Sequence, residues 1–322
     1  MTLIKPPTPA GISAAAELLR SGEIVAIPTE TVYGLAANAL DPAAIEKVFA
    51  AKGRPRDNPL IVHVSDLGMA RGLELEIPEL AEKLAENFWA EGSPFQGPLT
   101  MVLKRKTAPP QSGIIPTEVS CGLNTVAVRV PAHPAALAII KACGFPLAAP
   151  SANISGSPSP TKAKHVYADL NGRIPLIIDG GDCDCGVEST VVMFDDGKIK
   201  ILRPGAVTME MLSEFGDVVI DDECSLRSPG TRHKHYSPKA EVIAVIAENK
   251  EVFSKYIGKT EFVIANPEAQ TFFSKLREFD ELGAERIFIR LPEPVGIGLA
   301  LYNRIVRAAE FKIVKAENDK SK

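Results

Sequence analysis

Amphipathic helical patterns alternate with short apolar runs along most of the chain, an order typical of α/β folds. Asp41 followed by Pro42 predicts the start of a helix, and Gly53 and Pro55 predict its end. Other helices are predicted at residues 12–20, 78–89 and 134–142, with one more after a cap at Thr161. Strands are predicted at residues 24–27, 60–64, 99–103, 126–130 and 176–178, with another that ends at residue 149.

A second, smaller unit is predicted at the C-terminal end. A hairpin of strands 189–194 and 198–202 precedes a stretch, residues 221–239, that loses the apolar period. This stretch holds the basic and aromatic string TRHKHYS between prolines, and we interpret it as a domain linker. Beyond it, strands are predicted at 241–246, 262–265 and 286–291, and helices near 249–256, 268–279 and 302–309. The pattern indicates a small parallel sheet covered by helices.

Composition and charge narrow the class of protein. The 322 residues, of which 45% are hydrophobic and 24% charged, suffice for two globular domains. No apolar run approaches a membrane span, and the first residues lack a secretory signal, so we expect a cytoplasmic protein without a membrane partner. The formal net charge of −4 makes nucleic acid no obvious partner, so any RNA contact would be local. Five cysteines without a CxxC pair argue against a disulfide framework and a zinc ribbon.

The polar residues between 27 and 64 are the first candidates for chemistry. Lys52, Arg54 and Arg56 recur at every second position in a stretch broken by glycine and proline, so three cations could converge on a polyphosphate. A solvated basic loop is the alternative interpretation. The chain lacks both a GxSxG nucleophile elbow and a GxxxxGK[ST] phosphate loop, which points away from a serine hydrolase and a P-loop NTPase.

Many separate strings resemble those of the threonylcarbamoyl-AMP synthases, the YrdC-like family. In chain order they are PTETVYGL, KGRPRDNPLIVHV, GPLTMVLK, TVAVRVPAHP, APSANISGSPSPT, DGG followed by GVESTVV, and ILRPGA. SPGTRHKHYSP and GIGLALYNRIVRAA look like the linker and C-terminal domain of the family's long form. The resemblance implies a catalytic domain at 1–220 with a YrdC-like twisted mixed sheet and helices, a linker over the active-site cleft at 221–239, and a smaller α/β Rossmann-like domain at 240–322.

The resemblance also implies the reaction. ATP, L-threonine and bicarbonate or CO2 would give threonylcarbamoyl-AMP and pyrophosphate, with Mg²⁺ accompanying ATP. A downstream tRNA threonylcarbamoyl transferase would use the product to form N6-threonylcarbamoyladenosine, and a weak tRNA contact could accompany that step. Such chemistry needs positioning and charge stabilisation and no protein nucleophile.

Site residues follow from the matched motifs. The resemblance implies that ATP contacts Lys52, Arg54, Asn58, Thr125, Ser151, Ser159, Arg203 and, from the linker, Tyr236, with Lys52 and Arg54 as the catalytic residues. It implies that L-threonine contacts Thr31, His63, Arg129, Ala149 and Ser189, and it assigns no metal ligand. A guanidinium such as that of Arg129 can bind a carboxylate through two parallel hydrogen bonds. Without the resemblance, His63 would be interpreted as a core histidine.

Three other interpretations remain open on the sequence. Hydrogenase-maturation carbamoyltransferases share these motifs but carry paired CxxC zinc fingers that this chain lacks. An RNA-binding module is the non-enzymatic alternative, and a sensor that binds ATP and threonine without turnover is the third. One departure from the family pattern is the insertion at residues 90–96, before Gly97.

Overall fold

The computed structural model describes residues 1–93, 96–106, 115–220, 235–258 and 260–316. In these ranges the strands of the larger sheet are β1 (Leu3–Lys5), β2 (Val25–Ile27), β3 (Gly34–Asn38), β4 (Ile61–His63), β5 (Leu99–Lys104), β6 (Thr125–Arg129), β7 (Leu147–Ala148), β8 (Leu176–Ile178), β9 (Thr190–Asp195), β10 (Lys198–Arg203) and β11 (Val218–Ile220). Their order across the sheet is β1-β8-β2-β3-β7-β4-β6-β5-β9-β10-β11. β2 pairs antiparallel with β3, whereas β4 pairs parallel with β6, so the sheet is mixed, as the family resemblance implies.

Helices cover both faces of this sheet. They are α1 (Pro9–Arg20), α2 (Pro42–Lys52), α3 (Leu67–Arg71), α4 (Glu79–Phe88), α5 (Thr117–Ser120), α6 (Pro134–Cys143), α7 (Ala163–Leu170) and α8 (Met209–Ser213). Leu19 of α1 and Ile139 of α6 belong to one buried apolar cluster. Ile45 of α2 and Leu84 of α4 belong to another. The inner strands are therefore buried on both sides, and β2 and β8 accordingly consist only of apolar residues.

Helix α2 positions the segment from which several site residues come. The Asp41 carboxylate accepts a hydrogen bond from the Ala43 N–H at 2.9 Å, and Pro42 occupies the first turn. Gly53 ends the helix with φ 61°, a left-handed conformation that favours glycine. The predicted start and end of this helix are therefore confirmed.

The smaller sheet lies in the C-terminal part of the chain. Its strands are β12 (Glu241–Ile246), β13 (Val263–Ile264), β14 (Arg286–Arg290) and β15 (Ile313–Lys315), and its helices are α9 (Lys250–Ile257), α10 (Ala269–Glu281) and α11 (Ile297–Ala308). The strand order is β13-β14-β12-β15, and every pairing is parallel. The predicted small parallel sheet with covering helices is confirmed.

The two sheets are joined by direct packing. Val32 and Val187 of the first unit lie in the apolar core of the second, with Phe273 of α10. Arg277 of α10 donates to both carboxylate oxygens of Asp169 in α7, at 3.0 and 2.8 Å. The C-terminal unit therefore rests against the loop and helix that follow β7.

Several elements differ from the sequence prediction. Strand β3 was not predicted because its residues, GLAAN, lack β-branched side chains; it forms because β2 and β7 pair with it. Helix α7 is capped by Lys162, not by Thr161, whose hydroxyl instead bonds the hydroxyl of Ser274 at 2.9 Å. The strands β1, β11 and β15 and the short helices α3, α5 and α8 were also not predicted.

Two predicted segments lie partly outside the described residues. These are 221–234 of the linker and residues 94–95 of the insertion. The larger sheet ends at Ile220 and the smaller begins at Glu241, while the exact domain bounds stay a prediction. In the part of the chain that the structure describes, no helix combines the length and the apolarity that crossing a membrane would require.

Candidate active site

A small cavity of about 70 Å³ lies where β4 and β6 end and β9 begins. His63 and Arg129 are register partners at the carboxyl ends of these parallel strands, so both reach the same edge of the sheet. The lining residues are Thr29, Thr31, Val32, Gly34, Arg54, Pro59, Ile61, His63, Arg129, Ala149, Pro150, Ser151, Glu188, Ser189, Arg203, His235 and Tyr236. The lining combines buried guanidinium groups with hydroxyls, which suits an anionic ligand.

Arg129 is the most firmly held cation of the cavity. Its guanidinium is 4% exposed, and it donates to Thr31 Oγ1 at 2.9 Å and to the Gly97 carbonyl at 3.2 Å. It also forms a buried ion pair with Glu30, whose other carboxylate oxygen accepts the Ala132 N–H at 3.1 Å. The partners fix the plane of the guanidinium, and Nη1 and Nη2 each retain one further N–H for a ligand.

Two hydroxyl groups and a second arginine meet at Ser189, which directly precedes β9. Ser189 and Thr100 share a hydrogen bond between their hydroxyls at 2.8 Å. Arg203 donates from Nε and Nη2 to the Ser189 carbonyl, at 3.1 and 3.0 Å, and from Nη2 to the Ser189 hydroxyl at 3.1 Å. The Nη1 group of Arg203 makes no hydrogen bond within the described residues and can meet a ligand oxygen.

The predicted convergence of three cations on one point is wrong in its geometry. Arg54 lines the cavity and donates to the carbonyls of Asn58 and Pro59, each at 3.0 Å. Lys52 is the last residue of α2, and its buried ammonium donates to the carbonyls of Ser151 and Asn153. Arg56 turns to the protein surface, where it pairs with Glu46. Only Arg54 of the three faces the cavity, because the chain leaves a helix between Lys52 and Arg54.

The other predicted residues divide into two groups. Those that the structure brings to the cavity are Thr31, Arg54, His63, Arg129, Ala149, Ser151, Ser189, Arg203 and Tyr236. Those that do not line it are Lys52, Asn58, Thr125 and Ser159. The Asn58 carbonyl holds Arg54, and Ser159 donates to Glu188, so both lie directly behind the lining. Thr125 begins β6, at the other end of the strand from Arg129.

Sequence reasoning assigned no role to two acidic residues of this region, Glu30 and Glu188. Each lies inside a string that carries the family resemblance, PTETVYGL and GVESTVV, which was the signal available. Both carboxylates are buried and paired with arginines, Arg129 and Arg304. They orient neighbouring groups. Because each carboxylate is paired with an arginine, the net charge of the lining remains positive.

His63 is held neutral. The pKa of His63 is lowered to about 3, first because burial disfavours the imidazolium and second because Arg129 is close. Its Nδ1 lies 3.2 Å from the Ile61 carbonyl, which can only accept, so Nδ1 carries the proton. Nε2 is therefore a hydrogen-bond acceptor.

This depressed pKa predicts acid lability. An unfolded His63 binds a proton below its ordinary pKa of 6.5, whereas the folded one binds it only near pH 3, so stability is lost as pH falls through that window. At pH 5 the expected loss from this residue is about 2 kcal/mol. Urea unfolding at pH 8 and pH 5 checks this: His63→Gln should show a pH-dependent drop smaller by about that amount. An equal drop in both proteins would refute the assignment.

The described residues around this cavity include no cluster of side chains suited to holding a metal ion. Among the described residues, no three histidine, cysteine, aspartate or glutamate side chains are grouped so that they could hold a metal ion. The carboxylates nearest the cavity, Glu30 and Glu188, are both committed to arginines. These residues do not fit a dedicated Mg²⁺ cage.

Comparison with known proteins identifies the family. A family model for Sua5, YciO and YrdC proteins, described as telomere recombination, matches residues 17–205, and a model of the threonylcarbamoyl-AMP synthase C-terminal domain matches residues 207–310. The chain is 41% identical to a threonylcarbamoyl-AMP synthase of Pyrococcus abyssi, over 94% of this chain and 95% of that protein. It is 39% identical to one of Bacillus subtilis, over 94% of each chain.

Solved structures agree with these matches. The structure of P. abyssi Sua5 complexed with L-threonine superposes with a TM-score of 0.85 at 38% identity and covers 98% of this chain and 99% of that one. A variant of the same protein, in which one histidine and one tyrosine are replaced by alanine, gives the same TM-score and covers all of both chains. The order of motifs, the mixed sheet and the C-terminal domain all agree, and the chain belongs to the Sua5 family of threonylcarbamoyl-AMP synthases.

Proposed function

We propose that this protein is a threonylcarbamoyl-AMP synthase, a nucleotidyltransferase that converts ATP, L-threonine and bicarbonate or CO2 to threonylcarbamoyl-AMP and pyrophosphate. The observation that carries the proposal is one cavity with two kinds of anion-binding group. Arg129, fixed by Thr31 and Glu30, lines it together with Arg54 and Arg203. The relatives' names and a relative's complex with L-threonine support the same conclusion.

The threonine end of the site is proposed at Arg129. Its two remaining N–H groups can bind the amino-acid carboxylate through parallel hydrogen bonds. The Ser189 hydroxyl and the neutral His63 Nε2 can contact the amine or the side-chain hydroxyl of threonine. A neutral imidazole suits this place, since a second cation would repel the ammonium form of the substrate.

The ATP end is proposed at Arg54 and Arg203. Within the described residues, Nη1 of each guanidinium is left without a hydrogen bond, so both can meet phosphate oxygens. Burial lowers the pKa of Arg54 to about 10, which still leaves it charged at neutral pH. Lys52 acts from behind the lining by holding the carbonyls of Ser151 and Asn153.

The proposed chemistry needs no protein nucleophile. The threonine amine attacks the carbon of CO2 and loses a proton, which gives a carbamate. A carbamate oxygen then attacks the α-phosphorus of ATP, and the bond from that phosphorus to the bridging oxygen breaks, so pyrophosphate leaves with the electron pair. Arg54 and Arg203 stabilise the charge that develops on the phosphoryl oxygens, because they are fixed before the reaction begins.

Mg²⁺, a downstream enzyme and a cytoplasmic location belong to the same proposal. Mg²⁺ would enter with ATP, since the carboxylates in and beside the lining, Glu188 and Glu30, are already paired with arginines. A tRNA threonylcarbamoyl transferase would take the labile product, and an ATP-dependent step in tRNA processing fits the cytoplasm.

The described end of the linker bounds the cavity. His235 and Tyr236 both line it, and its volume of about 70 Å³ has room for a few water molecules only. ATP is much larger, so the lining must open further before it binds, and these two linker residues are part of that lining. We therefore propose that the linker gates substrate entry.

Pyrophosphate release tests the proposal. Full-length protein with ATP and Mg²⁺ should release pyrophosphate only when both L-threonine and bicarbonate are added, and L-valine, which replaces the hydroxyl with a methyl group, should support far less. Binding of ATP and threonine without release would favour the sensor instead. Binding of RNA alone, weakened steadily by salt and indifferent to threonine, would favour an RNA-binding module.

A further inference from the structure

The C-terminal domain places a buried arginine directly behind the cavity. Arg304 of α11 is 0% exposed, and its Nε donates to Glu188 Oε2 at 3.1 Å. Its Nη1 donates to the carbonyl of Pro204. Its Cζ lies 5.8 Å from the centre of the Tyr236 ring. One guanidinium thus contacts Glu188, Pro204 and Tyr236, which come from three separate segments of the chain.

Each of these contacts lies beside a residue of the cavity. Glu188 lines the cavity and precedes Ser189 of the proposed threonine end, and Pro204 follows Arg203 of the proposed ATP end. Tyr236 is held at φ 63°, a left-handed conformation that is unusual for a bulky side chain. Its ring is fixed between Arg304 and Phe273, whose ring centre is 5.3 Å away. Contacts from the C-terminal domain therefore determine where Tyr236 sits.

The charge of Glu188 makes the arginine necessary. A carboxylate on the wall of a cavity for a triphosphate repels the ligand unless a cation neutralises it. Burial raises the pKa of Glu188, but Arg304 and Arg203 outweigh burial and hold the pKa below its usual range, so the group is ionised. Ser159 donates to the other carboxylate oxygen, which completes the set of partners.

We propose that Arg304 is a positioning residue of the ATP site, supplied by the C-terminal domain: it neutralises Glu188, so that a triphosphate can bind beside that carboxylate. This inference rests on the proposed function and adds to it a role for the C-terminal domain.

The test compares Arg304→Met, Glu188→Gln and the double variant in the full-length protein. The probes are α,β-methylene-ATP, which cannot release pyrophosphate, and L-threonine, each titrated calorimetrically. Arg304→Met should weaken nucleotide binding about tenfold or more while threonine binding changes by less than about threefold. The double variant should recover nucleotide binding to within about threefold of wild type, because the carboxylate charge is gone.

Arg277→Met is the matched control. Arg277 is also a buried arginine of the C-terminal domain paired with a carboxylate of the first, Asp169, but Asp169 does not line the cavity. This variant should lower the unfolding temperature while its nucleotide affinity changes by less than about threefold. A loss equal to that of Arg304→Met would mean that docking alone, and not neutralisation of Glu188, sets nucleotide affinity, which overturns the proposal.

Two further outcomes decide the matter. A double variant as weak as Arg304→Met, or an Arg304→Met that binds nucleotide like wild type, would overturn the proposal. If Arg304→Met does not fold, Glu188→Gln decides alone: the proposal expects nucleotide affinity at least equal to wild type, and a purely structural ion pair expects it to fall. Wild-type protein that binds no nucleotide would overturn the proposed function itself, a result visible before any variant is made.

Discussion

Replacing Arg129 by alanine should weaken L-threonine binding by about a hundredfold to a thousandfold. The guanidinium is buried, fixed by Thr31 and the Gly97 carbonyl, and is the proposed partner of the substrate carboxylate. Removal of one partner of a buried, hydrogen-bonded charge pair costs about 2–5 kcal/mol, and each 1.4 kcal/mol is tenfold in affinity. Calorimetric titration with L-threonine measures the effect.

Two comparisons make this prediction specific. Binding of α,β-methylene-ATP to Arg129→Ala should stay within about threefold of wild type, because Arg54 and Arg203 remain. Arg129→Lys should recover little of the lost threonine affinity, since an ammonium cannot form the two parallel hydrogen bonds.

A further variant separates stability from binding. Because Glu30 loses its partner in Arg129→Ala, Glu30→Gln in the same background should restore stability without restoring threonine binding. Unchanged threonine affinity in Arg129→Ala would remove the proposed substrate orientation.

Replacing Arg54 by alanine should lower the rate of pyrophosphate release by about a hundredfold or more. Arg54 lines the cavity, and its position is set by the carbonyls of Asn58 and Pro59, so its charge is in place before the phosphoryl group reacts. Initial rates at saturating L-threonine and bicarbonate, with ATP varied, separate a loss of turnover from a loss of ATP affinity.

Arg56 provides the control two residues away. Its side chain is 76% exposed and pairs with Glu46 on the surface. Arg56→Ala removes the same charge from the same basic stretch, but a surface ion pair contributes about 0–1 kcal/mol, so activity should remain within about twofold of wild type. Equal losses in the two variants would show that the basic stretch acts through its overall charge and that the cavity geometry is unimportant.

The difference between these neighbours shows how far the sequence predicts the site. Alternate spacing in a stretch with glycine and proline suggested convergence of Lys52, Arg54 and Arg56. Local signals located the helix that precedes them, since Asp41 and Gly53 act within one turn. They could not show that Lys52 would be captured by carbonyls of Ser151 and Asn153, because that contact joins positions about a hundred residues apart.

The strands divide in the same way, into those that their own residues predict and those that form only through pairing with neighbours. Strands with β-branched apolar runs, such as β2 and β8, were predicted from their own residues. Strand β3 consists mainly of small residues and is a strand because of its neighbours, so no local pattern could show it. The overall class was predictable because helix and strand patterns alternate along the whole chain.

The roles of the two buried carboxylates could not be predicted from the sequence, for a further reason. Glu30 and Glu188 lie in strings that resemble the family, but their roles depend on arginines that lie far away in the chain, Arg129 and Arg304. Spacing within a motif carries no information about such partners. The ion pair between Arg304 and Glu188 was the hardest to predict, because Arg304 comes from the C-terminal domain.

If carbamate formation and adenylation occur in one cavity, the carbon of labelled bicarbonate must appear in the adenylate. Full-length protein would be incubated with ATP, Mg²⁺, L-threonine and the labelled bicarbonate, and the nucleotide products would be analysed by mass spectrometry alongside pyrophosphate. We expect threonylcarbamoyl-AMP that carries the label, formed in equal amount to pyrophosphate and lost in Arg129→Ala. Formation of ADP and phosphate, or of an unlabelled threonyl adenylate, would contradict it.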